Sequence, residues 1–293
     1  MLLLQTAYDG IAIGIIYALF AASFSLVLGA RRVWHFAHAG VYEVAGFVVY
    51  VVTAVFHLPL SVAVLIALVV AAALGLLIEH GGYRVLESRH SGHLSSFIYA
   101  LVLTTFIQGV LTLIFTTSVH NYGVPMDLSH FHVFGLVLTR WSLETIVIGG
   151  AILLAFIMLI ERTPLGRTII AISTEPHLAE VLGVNRQRTY SIVMILASLL
   201  VVPTVVLLGI NTGVSAAMGF HILLIAIAAS IIGGIGSVRG AALGGLLIGL
   251  VVNMATAYVP AQWQDAMAFS LMFIFIIVRP TGLLGVKLRS MGA

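Results

Sequence analysis

Long apolar stretches follow one another along almost the whole chain, separated by short polar turns. About 20 apolar residues cross the bilayer hydrocarbon as a helix. Nine runs meet or approach that length, at about 10–30, 38–56, 60–79, 97–118, 141–160, 190–210, 220–236, 241–259 and 265–279. The last three are short or glycine-rich, so the pattern predicts eight or nine spans, with a broken or re-entrant segment among the last. The runs are too long and too continuous for barrel strands, which alternate strictly. The expected fold class is therefore all-α: a polytopic integral membrane helical bundle forming one domain over residues 1–293. The start, MLLLQTAYDG, lacks a basic n-region and a small-residue cleavage site, so no removable signal peptide is expected.

The polar positions orient this pattern. Basic residues in short loops collect on the cytoplasmic side. With nine alternating spans and the C-terminus inside, Arg140 is the one outside residue among 13 basic ones, and Lys287 and Arg289 join the inside set. The N-terminus is then outside. The loop at 119–140, with His120, His130 and His132, is external.

One polar stretch is too long to be a simple turn. Residues 161–188 hold four of the 13 basic and three of the 10 acidic residues. Thr163-Pro164 and Glu175-Pro176 each read as a helix start, because a residue able to cap or an acidic residue precedes a proline suited to the first turn. In the second piece Leu178, Val181 and Leu182 fall at i, i+3 and i+4 and make one apolar stripe beside Glu180. Gly183 with Asn185 can close the helix. Such a helix on the cytoplasmic face either docks in a groove of a soluble partner or lies on the membrane surface as an amphipathic connector.

Other constellations are sparser. In ARRVWHFAHAGVYEVAGF, at 30–47, the arginines mark the inner interface, while Trp34 and Phe36 suit an aromatic belt. His35, His38 and Glu43 do not have the HExxH spacing of a metalloprotease. A carboxylate such as Glu43 inside a span faces protein or a watery cavity. It is read either as an interfacial or hydrogen-bonded structural group, or as part of a translocation path with His38. Gly236, Gly240 and Gly244 repeat every four residues, as do Ala241, Gly245 and Gly249. Small stripes of this kind let helices approach closely, either within the bundle or at a subunit interface beside a path. GGIGS lacks the Lys-Ser/Thr of a phosphate loop, so this chain is not expected to bind nucleotide. Asn253, Gln108 and His221 are isolated polar residues within spans, suited to helix–helix hydrogen bonds or to a path.

Composition narrows the function classes. The chain is 61% hydrophobic and 8% charged, with mean hydropathy +1.18, far from the quarter charged of soluble domains. With no cysteine it has neither disulfides nor thiolate sites. A net charge of +3 spread over several loops excludes a nucleic-acid surface.

Three stretches resemble one family. GIIYALFAASFSLVLGARRVWHFAHAGVYEVAGF is similar to its G-x-x-Y-A-L and N-F-A-H-G pattern. ERTPLGRTIIAISTEPHLAEVLGVNRQR is similar to its R-T-x-x-G-R and E-A-A-x-x-x-G-I-N region. GGIGSVRGAALGGLLIGL with VRPTGLLG is similar to its C-terminal part. The chain resembles the smaller permease subunit of branched-chain amino acid ABC importers. The resemblance implies a bacterial cytoplasmic membrane location, a second permease subunit, two cytoplasmic ATPases that carry ATP and magnesium, and an external solute-binding protein. It implies no cofactor and no catalysis on this chain. It makes Glu175 to Gly183 the ATPase-coupling helix, with Glu175, Pro176, Leu178, Glu180, Leu182 and Gly183 in that contact. The family's E-A-A reads His177-Leu178-Ala179 here, and its N-F-A-H-G reads His35-Phe36-Ala37-His38-Ala39. Family members for urea, amides and branched-chain amino acids share these motifs. An ion-coupled transporter, with Glu43 as its membrane acid, is the competing class.

Overall fold

A computed structural model describes residues 2–124, 130–133 and 136–285; Lys287 and Arg289 lie outside the described residues. The helices are α1 (Leu2–Arg31), α2 (Ala37–Tyr50), α3 (Leu60–Ile78), α4 (Arg84–Ser88), α5 (His93–Phe115), α6 (Arg140–Glu144) and α7 (Gly150–Arg162). They continue with α8 (Pro164–Thr174), α9 (Pro176–Val181), α10 (Arg186–Thr212), α11 (Met218–Gly233), α12 (Val238–Ala255) and α13 (Gln264–Val278). Wider π-helical turns prolong α2 to Val55 and join α3 to α4 and α6 to α7. Seven of the resulting helices are long and apolar enough to cross a membrane, and α11 and α13 are shorter apolar helices. The chain between α5 and α6 adds a small antiparallel hairpin, β1 (His130–Val133) and β2 (Leu136–Thr139). The Gln5 side-chain amide hydrogen-bonds Val137 of β2 in both directions, at 3.0 Å.

Helix α1 is the axis of the bundle, with 83% of its most apolar window buried. It packs on α12, α10 and α11. In lipid, apolar side chains gain nothing by leaving the solvent, so close backbone approach and polar contacts hold helices together. The glycines of α12 show this directly. Gly245 and Gly249 lie on the backbone of α1 at Tyr17, Ala18 and Gly14, whereas Gly240 and Gly244 lie on α11 at Gly233 and Ala229. The two stripes read in the sequence are thus two faces of one helix wedged between two others. Gly236 adopts φ +80 in the turn before α12 and meets Gly29. Gly240, Gly244, Ala241, Gly245 and Gly249 are buried within this chain, whereas Gly236 is exposed.

Replacing Gly249 with leucine therefore has no space to fill and is expected to cost about 1–3 kcal/mol or more through overpacking. Gly109→Leu, on a face of α5 where a Cβ meets nothing within 4 Å, is expected to leave the isolated chain unchanged. Thermal unfolding of the two purified variants compares them directly.

Candidate functional site

The polar stretch at 161–188 folds as two helices set at an angle. Thr163 caps α8: its hydroxyl accepts from the Gly166 N–H at 3.1 Å and donates to the Leu159 carbonyl at 2.6 Å. Pro164 and Pro176 occupy the first turns of α8 and α9. Glu175 stands at the N-cap of α9 without a side-chain cap, though its carbonyl accepts from Ala179 N–H at 3.0 Å. Gly183 follows α9 at φ +90, a conformation that strains any residue with a Cβ. Asn185 does not end α9 as the spacing suggested. It caps α10 instead, accepting from Arg188 N–H at 2.9 Å, because Gly183 has already broken the helix.

The apolar stripe of α9 faces outward. Ala179 is buried with Ile172 and Tyr190 in a small cluster of its own. Leu178, Val181 and Leu182 are 58%, 83% and 76% exposed. These three make an unpartnered apolar patch on a short, rigidly mounted helix.

Charge–charge contacts supply the mounting, and the sequence reading missed most of them. Glu180 of α9 pairs with Arg186 at the start of α10, at 3.3 Å. Arg186 also pairs with Glu87 of α4. Glu87 pairs with Arg31, the last residue of α1, at 3.3 Å, and Arg31 reaches Glu79 at 3.2 Å. The guanidinium of Arg31 lies over the rings of Tyr190 and Tyr83, at 4.6 and 5.2 Å from their centroids. Arg31 and Glu79 are almost fully buried, so Arg31 is an inner hub and not a surface marker. Its neighbour Arg32 closes α8, donating to the Ser173 and Thr174 carbonyls at 3.3 and 3.1 Å. Glu161 of α7 pairs with Arg239 of α12. Paired charges thus tie α9 to α10, α4 and the end of α1.

From that hub a polar line enters the bundle. Tyr83 hydroxyl and His35 Nδ1 share a hydrogen bond of 2.8 Å, the His35 and His38 rings lie 5.4 Å apart, and His38 Nε2 meets Ser23 hydroxyl at 2.8 Å. Burial, followed by the nearby His38 and Arg31, lowers the pKa of His35 well below the ordinary imidazole value and keeps it neutral. Phe36 packs on Phe97 and Phe220, with ring centroids at 5.2 and 6.2 Å. Among the described residues no three His, Asp or Glu side chains gather as a metal cage.

Glu43 is fully buried, with neither carboxylate oxygen hydrogen-bonded among the described residues. It does not snorkel to an interface. Asn253 donates to the Gly249 carbonyl of its own helix at 2.9 Å. His221 pairs with Asp265 of α13 at 2.9 Å.

Known proteins resemble this chain in sequence and fold. The family described as "Branched-chain amino acid transport system / permease component" matches residues 6–276. The high-affinity branched-chain amino acid transport system permease protein LivH of Escherichia coli K12 is 28% identical over 96% of this chain and 95% of its own length. BraD of Pseudomonas aeruginosa PAO1, with the same description, is 28% identical over the same shares. PsaBC from Streptococcus pneumoniae, solved in complex with Fab, has the same fold at TM-score 0.50 and 16% identity, covering 93% of this chain and 91% of that one.

Proposed function

The chain belongs to the family of branched-chain amino acid transport permease components, a membrane subunit of an ABC transporter, and from that premise we propose that it works in an ATP-driven importer whose solute is a branched-chain amino acid. It pairs with a second permease, receives solute from an external binding protein and is driven by two cytoplasmic ATPases that hold ATP and magnesium. Its place is the bacterial cytoplasmic membrane, with nine spans, the N-terminus outside and the C-terminus inside. The chain itself catalyses no reaction.

The observation that carries this reading is the exposed stripe of Leu178, Val181 and Leu182 on a helix locked to three others through Glu180, Arg186, Glu87 and Arg31. An apolar anchor rimmed by charge suits a groove in a soluble partner. The rigid mounting converts a push on the anchor into movement of α1, α4 and α10.

The absence of native cysteine gives a direct test. In cells making the full transporter, His177→Cys is expected to react with a membrane-impermeant maleimide only after the cells are opened. Leu58→Cys, in the exposed turn between α2 and α3, is expected to react from outside. Labelling with the opposite polarity puts α9 beyond the reach of any cytoplasmic ATPase and ends the proposal.

A further inference from the structure

The two shorter apolar helices, α11 and α13, have 16 and 15 residues. Their inner ends are fixed together: Leu283 and Leu284 N–H donate to the Ile232 and Gly233 carbonyls at 2.8 and 2.9 Å. Gly219 is 14 residues before Gly233, and Asp265 is 13 before Val278. At about 1.5 Å per residue each first turn lies about 20 Å from the inner end. Helix α1 gives a second ruler. Phe20, which touches His38 and Tyr42 at 4.8 and 5.6 Å, is 11 residues before Arg31, or about 16 Å. Against a hydrocarbon layer of about 30 Å, the rulers put Phe20 and its neighbour Tyr42 about halfway across and the start of α11 about two-thirds of the way.

The backbone before α11 is non-helical over residues 213–217. It descends from Val214, which pairs with His120 at 2.8 and 2.9 Å, to Gly219. Irregular backbone at such depth is tolerated only inside protein or along a cavity. The α11 N-terminus therefore turns its first-turn N–H groups and a positive dipole end into the bundle, with the Met218 N–H taken by the Ser215 carbonyl at 3.3 Å. The Glu43 side chain is aimed at this turn. A Cβ on Gly219 would collide with the Ala39 carbonyl oxygen of α2 and lie 2.8 Å from Glu43 Cγ and 2.9 Å from its Oε1, so glycine lets α11 approach both the α2 backbone and the carboxylate. Both Glu43 oxygens nevertheless lack a hydrogen-bond partner among the described residues. Nearby, His221 and Asp265 share a hydrogen bond of 2.9 Å while half exposed. A carboxylate on the outside of the bundle at that depth faces water or a second protein rather than lipid.

We propose that the first turn of α11 and the Glu43 carboxylate form the seat of the transported solute, matched to a zwitterion. The solute carboxylate takes the backbone N–H groups at the start of α11, and its ammonium takes Glu43. In the structure described here Glu43 Oε1 stands where the solute carboxylate would bind. Solute entry swings the first turn of α11 away from Glu43 about Gly213, at φ +74. One opposite charge on each side of a narrow gap distinguishes a zwitterion from a neutral amide or a simple acid. This inference rests on the permease reading above and deepens it.

The test uses the complete transporter reconstituted in vesicles, with ATP supplied to the ATPase side. The probes are labelled L-leucine, urea, acetamide, leucinamide and 4-methylpentanoate. ATP-dependent uptake is expected for L-leucine, with at least tenfold less for each of the others. ATP-dependent uptake of urea, acetamide, leucinamide or 4-methylpentanoate at a rate comparable to L-leucine overturns the zwitterion seat and leaves the permease reading standing. ATP-dependent uptake of none of the five counts against both. Glu43→Gln is expected to lower L-leucine uptake at least tenfold while the ATPase still copurifies, and unchanged uptake overturns the proposal. Should Glu43→Gln fail to assemble, the comparison of the five solutes in the wild-type transporter decides the proposal.

Discussion

Arg31→Met is expected to destabilise the folded chain by roughly 3–5 kcal/mol, the range for removing one partner of a buried ion pair. Arg31 is the link between two carboxylates, Glu79 and Glu87, at 3.2 and 3.3 Å. Methionine fills much of the same space and packs on Tyr83 and Tyr190, so the cost comes from charge and not from a cavity. Glu79, which is 1% exposed, is left buried without its main cation. Glu87 is less affected because it keeps Arg186. The double change Arg31→Met with Glu79→Gln removes the stranded charge and is expected to recover much of the loss. Thermal or steric-trap unfolding of the three proteins in detergent measures both steps. Equal stability of Arg31→Met and the wild type would show that the hub holds nothing together.

How far the sequence exposed this architecture follows from the range of each interaction. Spans are written in local composition, so the apolar runs at 38–56, 60–79 and 190–210 map onto helices within a few residues. The two pieces of the 161–188 segment were equally legible, because Thr163-Pro164 and Glu175-Pro176 mark helix starts locally. The glycine stripes on α12 were visible as stripes, but not which neighbour each one meets. The matching small face of α1, at Gly10, Gly14 and Ala18, lies more than 200 residues away in sequence. The ion-pair mounting was hidden for the same reason. Glu87 and Arg186 are 99 residues apart, and no local pattern announces their pairing. Counting Arg31 and Arg186 only as orientation markers concealed that they are structural cations. The depth of Glu43 was hidden too, because residues 32–36 fold back into the bundle before α2 begins.

Val181→Asp combined with Leu182→Asp is expected to abolish copurification of the ATPase while leaving the permease folded. The two side chains are 83% and 76% exposed, and substitutions at such positions usually change stability by no more than about 0.5 kcal/mol. In a docked state the same positions sit at the centre of the contact, where truncating an apolar anchor commonly costs about 2 kcal/mol or more. Placing unpaired carboxylates there adds their desolvation. A combined loss of about 3–4 kcal/mol corresponds to a weakening of over a hundredfold, enough to remove the complex during purification. Val119→Asp, also exposed at 56% but beyond the end of α5, is the control and is expected to leave copurification intact. The thermal unfolding of both variants should coincide with that of the wild type. If the double variant still brings down the ATPase, the grip lies elsewhere on the inner face, and the first surfaces to try are Leu165 and Ile170 of α8, which are also exposed. If Val119→Asp loses the ATPase as well, the effect is not one of docking. The paired result separates a handle that is held from a helix that merely lies at the surface.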